Sequence, residues 1–169
     1  MGRQAPDHHR VAASAGLNPI HEGTNGIQAL DLLGRKVVMQ DGAGLRLLVE
    51  TIRTTTARAR GTEWAGFADD VDAAVDRLAE VTATLWGTGD AELALANASA
   101  YLDAAGHVVV AWLWLEQALA TRAVASDFHE GKRAAARYFH RYELPKVGPQ
   151  LALLASLDTT VLRMRSDWF

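Results

Sequence analysis

Apolar side chains recur at every third or fourth position through most of this chain, and the pattern is clearest over residues 63–86. There Trp64, Phe67, Val71, Ala74, Leu78, Val81 and Leu85 share one side of an amphipathic helix. Thr62 stands where an N-cap belongs, and the outer side is acidic: Asp69, Asp70, Asp72, Asp76 and Glu80 against Arg77 alone. Upstream, the same spacing predicts a helix over 26–39 with Ile27, Leu30, Leu33 (or Leu32) and Val37 inward. Asn25 can cap its first turn while Gln28 reaches back, a capping-box pattern. Gly42 and Gly44 break the chain before a helix over 45–60 that turns Leu45, Leu48, Ile52 and Thr55 inward.

After Gly87-Thr88-Gly89, residues 90–125 contain no helix breaker except Gly106. They read as one helix of roughly 35 residues, roughly 50 Å long. Its middle, from Val108 through Leu115, has no polar side. Such a segment is either the centre of a bundle or a subunit interface. Ser126 or Asp127 can cap a basic helix reaching about residue 142, with Phe128, Tyr138, Phe139 and Tyr142 inward. Pro145 stops it, and a last helix follows over 150–163. The predicted fold is all-α: an up-and-down helical bundle of five to six helices, one very long and centrally buried. Residues 1–18 read as a flexible tail and 19–169 as the bundle.

With 169 residues the chain suits one domain and buries a core without a metal or disulfide staple. It has no cysteine, which excludes disulfides, thiolate metal sites and thiol nucleophiles and fits a cytoplasmic protein. A net charge of −3 offers no basic face for nucleic acid. Residues 1–19 contain no signal-peptide apolar run, and the eight-residue run Val108 to Leu115 is far short of the roughly 20 needed to cross a bilayer. The expectation is no nucleic acid and no membrane.

Histidines do not assemble a metal site in this reading. His8 and His9 lack an acidic or cysteine neighbour in a tail that reads as disordered. Glu116 and Glu130 lack the histidine three residues on that a di-iron bundle uses. His107 beside an apolar run reads as a core histidine with one satisfied hydrogen bond. His129 and His140 are three helical turns apart. Trp112 with Trp114, and Tyr138 with Phe139, read as core packing. The acidic helix and the basic one either face each other, present solvated faces, or form a dock.

The strongest local signal is Ile20-His21-Glu22-Gly23-Thr24-Asn25-Gly26-Ile27-Gln28-Ala29-Leu30-Asp31. It resembles a motif of acyl-CoA dehydrogenases, in which Glu-Gly-Thr, a short polar pair and Ile-Gln lie at a helix junction beside the flavin. Downstream, Leu33-Gly34-Arg35-Lys36 fits the branch with an extended C-terminal helical region. Gly131-Lys132-Arg133-Ala134-Ala135-Ala136-Arg137-Tyr138-Phe139 and Arg141-Tyr142-Glu143-Leu144-Pro145 resemble the end of that region. The resemblance covers about residues 19–157.

The resemblance implies FAD-dependent α,β-dehydrogenation of an acyl-CoA thioester. A carboxylate removes the α-proton while hydride leaves the β-carbon for the flavin, and that base corresponds to Glu22. Gly23 corresponds to the position where substrate approaches the backbone closely. Thr24, Asn25, Gly26 and Gln28 correspond to FAD-binding positions at a helix N-terminus. Implied partners are an acyl-CoA and an electron-transfer flavoprotein. Two departures stand out. His21 occupies a position where the family usually has Tyr, and the family's N-terminal helical domain and flavin-gripping β-domain have no counterpart in these residues. FAD would therefore bind only if another chain or the missing domains complete the site. The expected assembly is a homo-oligomer or a larger dehydrogenase chain. The alternative is a non-enzymatic helical-bundle association module that retains a relic of the flavin-site motif.

Overall fold

The computed structural model describes residues 24–123 and 125–168. Among them no strand occurs, and the helices form the expected all-α bundle. In chain order they are α1 (Asn25–Asp31), α2 (Met39–Ala59), α3 (Ala65–Gly87), α4 (Ala91–Leu95), α5 (Ala98–Thr121), α6 (Asp127–Tyr138), α7 (Val147–Ala155) and α8 (Thr160–Arg163). π-helical turns follow α1 (Leu32–Lys36) and α6 (Phe139–Glu143), and short 3-10 turns occupy Leu144–Lys146 and Ser166–Trp168. The tail expected over 1–18, with His8 and His9, lies outside the described residues.

α5 is the axis, packed against α1, α2, α3, α6 and α7. α2 and α3 form an antiparallel hairpin, as their cross-helix pairs show. Arg53 contacts Asp76 at 2.7 Å, Thr56 donates to Asp72 at 2.8 Å, and Arg60 pairs with Asp72. The acidic side of α3 is thus met largely by arginines of α2, while on α6 Glu130 holds Arg133 and Arg137 at 2.8 and 3.1 Å. The core stripe of α3 is close to its sequence expectation. Trp64, Val71, Leu78, Val81 and Leu85 are buried, with Ala68 and Val75 added and Phe67 and Ala74 half-buried. Thr82 donates to the Leu78 carbonyl (2.7 Å) and takes a hydrogen bond from the Tyr101 phenol on α5 (2.7 Å), which satisfies both polar groups inside the core.

Several boundaries differ from the sequence expectation. The expected 35-residue helix is broken at Asn97, whose φ of −115° and ψ of 35° leave the helical basin. Its side chain instead donates to the Asp158 carbonyl (2.9 Å), tying the α4–α5 joint to the far end of the chain. α5 is not enclosed on all sides either. Val108, Ala111 and Leu115 are buried, but Val110 and Leu113 are 38% and 43% exposed. By length and composition α5 could reach across a membrane. Its buried line and five helical neighbours are those of a core helix.

Helix α3 starts at Ala65, because the Thr62 hydroxyl accepts the Trp64 N–H (3.1 Å) in the turn just ahead of it. Phe128, Tyr138 and Tyr142, expected inward, are exposed, and only Phe139 is half-buried. α6 is short and seals itself with Ala136, while the following π-turn shifts the register. Tyr138 and Tyr142 stack on each other at the surface, 4.9 Å apart. Ser126, not Asp127, caps α6 by accepting the His129 N–H. The last expected helix stops at Ala155. Leu157, at φ 55°, ends it in a left-handed residue, and only α8 follows.

Candidate functional site

α1 carries the motif. Glu22 and Gly23 lie outside the described residues. Thr24, Asn25, Gly26 and Gln28 all fall within the N-cap and first turn of α1, so one short segment holds them together. The capping box expected from Asn25 does not form. Asn25 is the first helical residue and Thr24 the cap position. Gln28 folds back along the helix, its side-chain N–H donating to Thr24 Oγ1 (3.2 Å) and its backbone N–H to the Thr24 carbonyl (2.9 Å). Among the described residues no side chain caps the first turn of α1. A Cβ on Gly26 would meet nothing within 4 Å.

The inner side of α1 and its π-turn is Ala29 with the expected Leu33 and Val37, but not the expected Ile27 and Leu30. Those two are 70% and 50% exposed. Ala29, Leu33 and Val37 follow one another at steps of four residues across the junction of α1 and the π-turn. The π-turn frees backbone groups, and the Leu33 carbonyl is taken up by the Trp86 indole N–H (3.2 Å) from α3. On the outer side Arg35 grips Asp31 with two hydrogen bonds (2.5 and 3.0 Å). That guanidinium, with Lys36 beside it, holds the Asp31 carboxyl below the usual range.

The chain then makes a left-handed turn that the sequence reading marked only as a break. Gln40, Asp41 and Gly42 have φ values of 52°, 55° and 79°. Two of the three carry a Cβ, a conformation such residues adopt at a cost of roughly 1–3 kcal/mol each. Arg46 bridges the turn by donating to the Asp41 carbonyl. Behind it lies a largely apolar cleft of about 630 Å³, bordered by Val38, Leu45, Arg46, Arg53 and Trp86. Leu45 and Arg46 carry no signal in a periodicity search that separates cleft from core.

Among the described residues no three His, Asp or Glu side chains converge as a metal site. His107 lies half-buried on α5. Its Nδ1 is 2.8 Å from the Asp103 carbonyl, the single satisfied hydrogen bond expected of it, and its Nε2 lies 3.7 Å from Glu143. Trp112 is half-buried and hydrogen-bonded. Trp114 lies beneath the Lys132 ammonium at 5.4 Å. Both behave as packing residues with a polar edge.

Residues 48–165 match the family described as Acetyl-CoA dehydrogenase C-terminal like. A butyryl-CoA dehydrogenase of Syntrophomonas wolfei subsp. wolfei is 26% identical over 170 residues, covering 94% of this chain and 28% of that enzyme. So much of the chain is aligned that residues 20–31 fall within the match. The chain spans a little over a quarter of the length of this curated relative.

Proposed function

The chain belongs to the acetyl-CoA dehydrogenase C-terminal-like family, and from that premise we propose that it is the C-terminal helical part or subunit of an FAD-dependent acyl-CoA dehydrogenase. Glu22 is the base that takes the α-proton, and it acts only when the upstream flavin- and substrate-binding domains complete the site. The observation that carries this reading is the outer side of α1. Asn25, Gly26 and Gln28 share it with Ile27 and Leu30, two large apolar residues that are exposed among the described residues. An isolated bundle gains nothing by exposing them, whereas a domain seated over a flavin would bury them. FAD, when bound, supplies the hydride acceptor. This chain's part is to present the helix start at α1, the Thr24 and Gln28 side chains, and the Glu22 carboxylate.

The test is flavin retention. Purified alone, the chain should carry no FAD by absorbance and bind none by calorimetry. Co-expressed with the upstream domains of a butyryl-CoA dehydrogenase, it should yield stoichiometric flavin that an acyl-CoA bleaches. In that assembly Glu22→Gln should keep the flavin and lose the bleaching. A completed assembly without flavin would overturn the proposal.

A second reading, association without catalysis, draws on α5. Gly106, Val109 and Val110 border an almost wholly apolar groove of about 300 Å³ between α5 and α2, and Leu113 lies exposed on the same helix. We expect this strip to join copies of the chain or a larger dehydrogenase chain. Leu113→Asp should shift the sedimentation profile toward monomer. A wild-type chain that sediments as a monomer at micromolar concentration would sink the self-association reading.

A further inference from the structure

The acids of α3 are not all treated alike. The helix carries five, and four of them meet an arginine: Asp69 and Asp72 meet Arg60, Asp76 meets Arg53, and Glu80 meets Arg77. Asp70 is the exception, for no cation among the described residues pairs with it. It is also the acid that borders a cleft of about 410 Å³ between α3 and the turn leading into α7. One wall of this cleft is the row Asp70, Ala73, Ala74 and Arg77, spaced so that all four share one side of α3. The opposite wall is apolar, with Val147 and Gly148 at the start of α7. Partial burial raises the Asp70 carboxyl pKa, and Asp69 adds to the rise. The carboxylate has thus lost water without gaining a partner. Arg77 stands seven residues on, roughly 10 Å along the helix, and Glu80 draws its guanidinium further the same way (3.1 Å). His140 also borders the cleft, but burial lowers its pKa to about 4, so the ring adds no positive charge near pH 7.

We propose that this cleft binds a small primary amine in its ammonium form, with the head against the exposed Asp70 carboxylate and the apolar body along Ala73, Ala74 and Gly148. The small side chains make the room, and a Cβ added at Gly148 would meet nothing within 4 Å. Arg77 at the far end fixes the direction, since it repels the ammonium and leaves Asp70 as its place. The same two charges limit the body to what fits between them. An anion finds Asp70 at the mouth and an arginine already engaged by Glu80. A divalent metal ion needs more oxygen ligands than one carboxylate provides. The proposal stands independently of the flavin reading.

Three probes of similar size separate charge from apolar filling. Near pH 7, 2-phenylethylamine is a cation, 2-phenylethanol is neutral and 3-phenylpropanoate is an anion. Each is titrated into the full chain at low salt while backbone and methyl NMR signals are followed. The amine should give saturable shifts at Asp70, Ala73, Ala74 and Gly148. The alcohol should bind roughly fivefold more weakly, the spread that one partly solvated ion pair supplies, and the carboxylate more weakly still. Asp70→Asn keeps the shape of the side chain and should bring the amine to the affinity of the alcohol. Asp69→Asn, which removes a charge beside the cleft but not bordering it, should keep most of the preference. Ala73→Leu and Gly148→Leu each put bulk on one wall, and at least one of them should abolish binding. All four variants lie at exposed positions and should keep the helical circular dichroism of the wild type. Absence of saturable shifts at these residues, or equal binding of amine and alcohol, would overturn the proposal. So would a preference that survives Asp70→Asn or vanishes in Asp69→Asn, or binding that survives both leucine variants.

Discussion

Two neighbouring positions on α5, Ala111 and Trp112, look toward two buried polar groups that the fold treats in opposite ways. On the α2 side, the Trp112 indole N–H donates to Thr55 Oγ1 (2.7 Å), and the Thr55 hydroxyl donates to Glu116. Arg58 completes the chain with bonds to both Glu116 oxygens (2.9 and 3.3 Å). Every donor there has an acceptor, and the run ends at a guanidinium in solvent. On the other side, His140 lies beside the Ala111 carbonyl with neither ring nitrogen satisfied. The first arrangement locks α2 to α5. The second leaves a buried imidazole whose nitrogens are closed to solvent. A satisfied network is what stability favours.

The contrast can be broken most sharply at Trp112. Trp112→Ala removes a half-buried ring and opens the network together, and should cost about 3 kcal/mol, the low end for a truncated tryptophan. That loss corresponds to a drop in melting temperature of about 6–12 °C for a chain of this size, read by scanning calorimetry. An unchanged transition would show that the ring contributes nothing to packing.

Acid should probe the other side. His140 has a folded pKa of about 4 against 6.5 unfolded. Between those values the unfolded chain takes up a proton that the native chain refuses, so stability falls as pH drops from 6.5 and levels off, for this group, below 4. The full loss is about 3 kcal/mol, from 1.36 kcal/mol per pKa unit. Urea unfolding across this range should show the slope in the wild type and lack this part of it in His140→Phe. Equal slopes in the two proteins would show that the ring is solvated.

Smaller effects sharpen the picture. Thr55→Val strands the Trp112 N–H and deprives Glu116 of a donor, at a cost of roughly 1–3 kcal/mol by chemical denaturation. Arg53→Gln breaks an ion pair to Asp76 whose two side chains are both about half exposed. It should change stability by less than about 1 kcal/mol, and less still at high salt. A larger loss would mean that the α2–α3 hairpin depends on its surface charges.

Much of the bundle was legible because period-3.6 patterning survives wherever a helix has one wet side, and α3 shows it from Trp64 to Leu85. It misled where apolar residues face outward for reasons outside the helix. Ile27 and Leu30 match a core stripe by spacing, yet Ala29 holds that place, one α-helical turn before Leu33, which the spacing did identify. Tyr138 and Tyr142 likewise match the spacing and lie at the surface, stacked on each other. Nothing in the local sequence announces a π-turn, which forms when packing on both sides of it favours the extra residue. The motif residues Thr24, Asn25, Gly26 and Gln28 could be grouped on one helical turn from spacing alone, but their hydrogen bonds could not.

The sequence by itself determined the all-α class, the inner stripe of α3 and the family likeness. These depend on side-chain types at short separations, which the linear order contains. Tertiary structure alone decided that Asn97 breaks the long helix, that Trp112 joins Thr55 and Glu116, and that His140 lines a cleft without a partner. Each of those depends on groups far apart in the chain, brought together by the way α5 is surrounded. Whether a polar group is satisfied or orphaned is a property of that surrounding and not of the residue.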